Sequence, residues 1–198
     1  FMILSGINFT LHYLLVHGKL GKVFKNEELK TYLMIIGLTS ILVTIVIHQN
    51  LNAPWEKSFR DALFQVSSII TATGFASSDY QIWPGMAKVL LLMVMLIGAC
   101  SGSTGGGIKV ARYVLIYKSI KHHIRSIINP NAIQSIRYNN ENVKVEFIPS
   151  IFGFVFIYYA TIVVGTFVML GTGLDIPSSS SSVITTLGGI GPGFNSVG

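Results

Sequence analysis

The chain has 198 residues, 51% of them hydrophobic and 11% charged, with a mean hydropathy of +0.61. A water-soluble globular domain carries about 25% charged residues, so this composition excludes one and requires burial in lipid or in other protein. The formal charge of +6 would suit a nucleic-acid partner, but the basic residues fall between apolar runs instead of forming one patch, so nucleic acid is excluded as well.

Residues 1–16 (FMILSGINFTLHYLLV) read as the end of a spanning helix that starts before this sequence. They lack the basic start and the small-residue cleavage site of a signal peptide, so the chain is read as a fragment. The runs 31–47 and 147–174 carry no charge and approach or exceed the roughly 20 apolar residues that cross a bilayer core. The run 89–108 is also uncharged, and it spans only if its glycine-rich half is accommodated. Lys19, Lys22, Lys25 and Lys30 lie between the first two apolar segments. Lys109, Arg112, Lys118, Lys121, Arg125, Arg137 and Lys144 lie between the later two, with only Lys57, Arg60 and Lys88 in the stretch between. Positive residues mark cytoplasmic loops. Residues 17–30 and 109–146 are therefore expected inside, and 48–61 and 175–177 outside. The single Cys100 excludes a disulfide framework within the chain.

That orientation leaves two hydrophobic pieces between position 48 and Lys109 where a single crossing needs one. Residues 59–70 rise only about 18 Å as a helix, then break into TATGFASSDY before Trp83-Pro84 opens another apolar run. The segment is expected to enter from outside, turn and return. The pattern recurs after 147–174: Asp175-Ile176-Pro177 marks a polar boundary, a short semi-apolar piece follows, and GGIGPGFNSVG breaks any helix. Ser67-Ser68-Ile69-Ile70-Thr71 matches Ser181-Ser182-Val183-Ile184-Thr185 without a gap, which reads as one parallel internal repeat. The five serines 178–182 read as a helix start, where hydroxyls cap free N–H groups, in preference to low complexity.

Non-helical backbone at membrane depth is tolerated only when buried in protein or lining a watery cavity. The breaks at 71–77 and 188–194 therefore point to a cation path. There, carbonyls of an extended glycine-bearing strand replace the hydration shell, and half-helix C-termini add partial negative charge. Gly74 and one glycine among Gly188, Gly189 and Gly191 are the candidates. The run GACSGSTGGGIK, 98–109, interrupts the helix that starts near Trp83 after 12–14 residues, about mid-membrane. It fails as a phosphate loop, which needs Gly-Lys-Ser/Thr after four residues, because Ile108 precedes Lys109 and Val110 follows it. An unwound loop at that depth would obstruct and gate an ion path.

FQVSSIITATGFASSDYQIWP followed by GACSGSTGGGIKVAR resembles the third repeat of the Trk/Ktr/HKT potassium transporter superfamily. NPNAI (129–133) and LGGIGPGFNSVG (187–198) resemble its bacterial Trk branch, and GINFTLHY resembles the end of the second repeat. The resemblance covers essentially the whole chain. It implies an all-α integral membrane fold of four repeats (spanning helix, pore half-helix, filter, second helix) around a pseudo-fourfold pore. Of these the chain holds the end of repeat 2 (1–30), repeat 3 (31–125), and a cytoplasmic linker with the first part of repeat 4 (126–198). By the same resemblance the third filter, binding K+, is Thr71, Ala72, Thr73, Gly74 and Phe75. The fourth is Gly189, Ile190, Gly191 and Pro192. The family pattern centres the fourth on Gly191, whereas the ungapped repeat match pairs Gly74 with Gly188, and both registers stay open. Glycines stand at 188 and 189 where the family has asparagines, and the serine run is a further departure. Gly102, Ser103, Thr104, Gly105, Gly106, Gly107 and Lys109 match the family's intramembrane gating loop.

The implied function is potassium uptake through a multi-pass protein of the bacterial inner membrane, with membrane lipid around it. The implied assembly is a homodimer with a cytoplasmic nucleotide-binding regulatory subunit on the basic loops. No cofactor is expected, nor any catalytic residue. A sodium- or proton-coupled carrier with broken helices is the alternative, but the ionisable midplane groups it needs are not evident. A membrane-embedded enzyme would need catalytic clusters, and the eight Asp and Glu are scattered. His122 and His123 point apart on a helix and read as a solvated basic face. Asp61 and Asp79 either raise local cation concentration or face water. Tyr158 and Tyr159 are expected to pack between helices.

Overall fold

The computed structural model describes residues 1–128, 135–144 and 146–197, with Ser196 as backbone only. The NPNAI motif lies outside the described residues.

The opening apolar run is two short helices, α1 (Met2–Ser5) and α2 (Phe9–Val16), in place of the single helix end expected. Asn8 causes the break: its side chain accepts from the Thr10 N–H at 2.8 Å and caps α2. The freed Gly6 carbonyl accepts a bond from Cys100 N at 3.0 Å, and Phe9 N donates to Gly102 O at 3.1 Å. Hydropathy registered the length of this segment but not its interruption, because the bonds that replace the missing turn come from about 100 residues away.

A short α3 (Leu20–Lys25) leads into α4 (Glu27–Leu51), whose N-cap Asn26 accepts from Leu29 N at 2.9 Å. At about 1.5 Å per residue, the 25 residues of α4 reach about 37 Å, more than the roughly 30 Å hydrocarbon core. The first re-entrant piece is α5 (Trp55–Ile70), starting four residues before the sequence expectation on the stop supplied by Pro54. Its 16 residues rise about 24 Å, still too short to cross. Its C-terminal half is buried without a gap from Gln65 to Ile70, against α4 and α6 (Gly85–Ile97). α6 stops after 13 residues, and α7 (Val110–Ile128) resumes beyond the glycine loop.

Between α7 and α8 (Phe147–Leu170) the linker holds a two-stranded hairpin, β1 (Arg137–Tyr138) paired antiparallel with β2 (Glu141–Asn142). Among the described residues the expected all-helical chain carries one small strand pair, turned by Asn139 and Asn140 at φ of 50° and 67°. Asparagine tolerates this conformation, and paired positive φ values match the twist of a tight hairpin.

α8 is apolar on every side and nearly unburied: among its described residues only Ile162 falls in the buried class, while Phe156 and Phe167 are 75% and 71% exposed. Such a helix needs an apolar surround. Together α4 and α8 are the two described helices long and apolar enough to cross a membrane. Gly165 of α8 lets α9 (Ile176–Gly188) approach closely, since a Cβ there would sit 2.9 Å from Val183.

The serine run does not cap α9. Asp175 and Pro177 begin that helix, while Ser178, Ser179 and Ser181 are buried along it. Their small size seats the helix, and Ser181 Oγ accepts the Phe194 N–H at 3.1 Å. Tyr158 packs between Phe154 and Tyr159 within α8, and the Tyr159 hydroxyl lies 3.2 Å from that of Tyr113 on α7.

Candidate functional site

The two half-helices end in the same way. At the end of α5, Ala72 N donates to Ile69 O at 3.1 Å and Thr73 N to Ser68 O at 2.9 Å, with Ala72 left-handed at φ 56°. At the end of α9, Gly189 N donates to Thr186 O at 3.2 Å and Ile190 N to Thr185 O at 2.9 Å, with Gly189 at φ 63°. Each is a helix stop of the Schellman type, in which a left-handed residue turns the chain so that its N–H groups reach back to the last carbonyls. Superposing the stops pairs Ala72 with Gly189 and Thr73 with Ile190. The next pair is Gly74 and Gly191, both at positive φ (75° and 103°).

The helix stops therefore align Gly74 with Gly191, three positions beyond the ungapped pairing with Gly188. Gly188 still lies in α9. The serine match misled because it aligned helix interiors, whereas the helix stops set the turns three residues further on.

The turns lie beside each other. A Cβ on Gly74 would collide with the Ile190 carbonyl oxygen and sit 3.1 Å from Pro192 Cδ. Backbone carbonyls of Thr73, Gly74, Phe75, Ile190, Gly191 and Pro192 accept no hydrogen bond from any described residue. Threonine hydroxyls hold the first turn, Thr71 Oγ1 on Ser67 O at 2.7 Å and Thr73 Oγ1 on Ser68 O at 3.2 Å.

Sequence reasoning missed the clamp outside these turns. Tyr80 Oη donates to Gly193 O at 2.7 Å, Gln81 Nε2 donates to the same oxygen at 3.3 Å, and Asn195 N donates to Gln81 Oε1 at 2.9 Å. Tyr80 meets Phe194 edge-to-face at 5.7 Å. The polar pair inside DYQIWP was the available signal, although nothing local named its partner. Asp79, expected either to attract cations or to face water, caps the 3-10 turn Tyr80–Ile82 through Gln81 N at 2.9 Å. Asp61 lies 3.8 Å from Arg60.

Loop 98–109 lies against both helix stops. A Cβ on Gly105 would come 3.3 Å from Thr71 O, and one on Gly106 would collide with Gly188 O. Lys109 Nζ donates to Gly105 O, folding the loop back on itself, and Val110 N donates to Ala99 O at 3.1 Å. Thr104 Oγ1 reaches Ser5 O at 3.3 Å. The structure thus brings together Thr71 to Phe75, Gly189 to Pro192 and the glycine loop. His122 and His123 lie apart from them on α7, and no group of three metal-ligating side chains occurs among the described residues.

A second missed group lies at the opposite end of the loop. Glu28, 3% exposed, accepts from Ser101 N, from Ala111 N at 3.2 Å and from the Tyr138 hydroxyl at 3.2 Å. Burial, and then the nearby Glu28 charge, push the Tyr138 phenol above its ordinary range, so it remains a donor. Acidic residues after Asn26 were legible as a helix start, but their burial was not.

Repeated spanning-helix and half-helix units, with glycine turns side by side and a loop against their stops, define an all-α integral membrane fold. Residues 1–197 match the family model described as TrkH, cation transport protein, and the chain belongs to that family. It is 32% identical over 199 residues to the Trk system potassium uptake protein TrkH of Escherichia coli K12, covering the whole of this chain and 41% of that protein. To TrkG of the same strain it is 33% identical, covering 98% of this chain and 40% of TrkG. The crystal structure of the potassium transporter TrkH from Vibrio parahaemolyticus superposes with a TM-score of 0.87 at 30% identity, covering 99% of this chain and 43% of that one. The chain spans about two fifths of the length of the curated relatives it matches.

Proposed function

We propose that the chain forms part of a potassium uptake pore, in which residues 71–75 and 189–192 supply two of the filter segments and loop 98–109 is the gate beneath them. The observation that carries this reading is the pair of adjacent glycine turns whose six backbone carbonyls accept no bond within the described chain. Carbonyls in a water-poor setting require a partner, and a dehydrated cation supplies one. The half-helices α5 and α9 direct their C-terminal partial charge to the same place.

In this pore, chain segments 1–30, 31–125 and 126–198 are the end of the second repeat, the third repeat, and the linker with the start of the fourth. The protein sits in the bacterial inner membrane with residues 17–30 and 109–146 on the cytoplasmic side. It works as a homodimer, and a nucleotide-binding regulatory subunit of the TrkA type contacts the basic linker. Support comes from the family membership and from the relatives' description as components of a Trk system.

The test is Gly74→Ser in the full-length protein, measured as rubidium and sodium uptake into proteoliposomes. The side chain would meet Ile190 O in a left-handed backbone position, which strains it in two ways. Potassium-over-sodium preference is expected to fall with membrane insertion intact. Wild-type preference in the inserted mutant would overturn the filter assignment.

A further inference from the structure

We infer that Glu28 is a positioning residue that couples the cytoplasmic hairpin to the glycine loop, so that movement of the hairpin is read as movement of the gate. The inference rests on the gate reading of loop 98–109.

A carboxylate 3% exposed near the start of a spanning helix is costly unless its oxygens are occupied. Both oxygens of Glu28 are. Oε1 takes two backbone N–H groups, Ser101 inside the loop and Ala111 in the first turn of α7. The N-terminus of α7 favours an anion there. One oxygen therefore fixes the loop and its exit helix with respect to each other. Oε2 takes the Tyr138 hydroxyl from β1.

The hairpin reaches the same helix end by other routes. Asn139 Oδ1 accepts the Glu27 N–H at 2.8 Å, and Lys118 pairs with Glu27 while donating to Arg137 O at 2.6 Å. Glu28 is the residue that touches hairpin, spanning helix, loop and exit helix together. Hydrogen bonds to a charged group are roughly twice as strong as neutral ones, so withdrawing Tyr138 changes how firmly Oε1 and Oε2 are held. A regulatory partner that pulls on the linker thereby loosens Ser101 and the loop behind it.

The experiment uses full-length protein in proteoliposomes, with rubidium flux normalised to inserted protein and the rubidium-to-sodium ratio recorded for each variant. Glu28→Ala is expected to raise basal flux at least about threefold at an unchanged ratio, a split that general misfolding would not produce. Tyr138→Phe, which removes only one hydroxyl, is expected to raise flux less and to add nothing on top of Glu28→Ala. Glu28→Asp should restore part of the wild-type value. If Glu28→Ala does not insert, Tyr138→Phe and Glu28→Gln decide, and both must raise flux.

Flux within about 1.5-fold of wild type in the inserted Glu28→Ala and Glu28→Gln variants, or a full Tyr138→Phe effect persisting in the Glu28→Ala background, overturns the coupling. Deletion of one residue from Gly105–Gly107 separates the two ideas. If deletion raises flux while Glu28 variants are silent, the coupling fails and the gate stands. If both are silent, the gate reading falls with it.

Discussion

Replacing Gly106 by alanine tests the seating of the loop more directly than any other change. The added methyl would collide with Gly188 O and lie 2.8 Å from Gly188 C, both backbone atoms at the end of α9. Ordinary carbon–carbon contact begins at about 3.5 Å, so the carbon contact alone requires loop and helix stop to part by about 0.7 Å, and the closer Gly188 O requires more. No rotamer relieves the contact, because a methyl has none and the atoms it meets are backbone. Overpacking of this kind costs about 1–3 kcal/mol, and at a rigid helix end the upper part of that range applies. The expected outcome is a melting temperature lowered by several degrees in detergent, with altered rubidium flux per inserted molecule. Gly85→Ala is the control, since its Cβ meets nothing within 4 Å at the start of α6. If Gly106→Ala matches Gly85→Ala in melting temperature and in flux, the loop does not rest on the end of α9.

Tyr80→Phe should lower the melting temperature and weaken potassium preference, because Gly193 O keeps only the Gln81 contact at 3.3 Å; losing a buried hydroxyl bond costs about 1–3 kcal/mol. Unchanged selectivity in this variant would show that the clamp does not shape the fourth turn. Ser181→Ala leaves Phe194 N without its acceptor and should cost a similar amount, read as faster amide exchange at Phe194. Asn139→Ala loses the acceptor for Glu27 N and places alanine at φ 50°. About 1–2 kcal/mol of local stability should go, measured as loss of exchange protection across the hairpin and at Glu27. Protection equal to wild type would mean that the hairpin is not anchored through Asn139.

Much of the helical plan was legible because hydrophobic length and charge are local properties. The runs 31–47 and 147–174 became α4 and α8, and the short pieces between polar breaks became α5 and α9. The glycine loop was legible too, since GSTGGG cannot continue a helix at reasonable cost. The register of the fourth turn was not. Side-chain similarity drew Ser67 toward Ser181, while the hydrogen bonds of the helix stops paired Gly74 with Gly191. Residues 1–16 split in two for a related reason: the bonds that make the break affordable arrive from Cys100 and Gly102.

Taken alone, the residue order determined that this chain belongs in a membrane, where its longer helices run, and that it abandons helical geometry within 71–77, 98–109 and 188–194. Each of those follows from hydropathy, charge placement and backbone propensity within a window of a few residues. Only the tertiary structure decided that the two glycine turns lie beside each other, that Gly105 and Gly106 rest on the helix stops, that Tyr80 and Gln81 hold Gly193, and that Glu28 is buried under the hairpin. Those outcomes depend on hydrogen bonds and close contacts spanning from about 30 to more than 100 positions, and no local pattern encodes which distant partner will meet a given polar group.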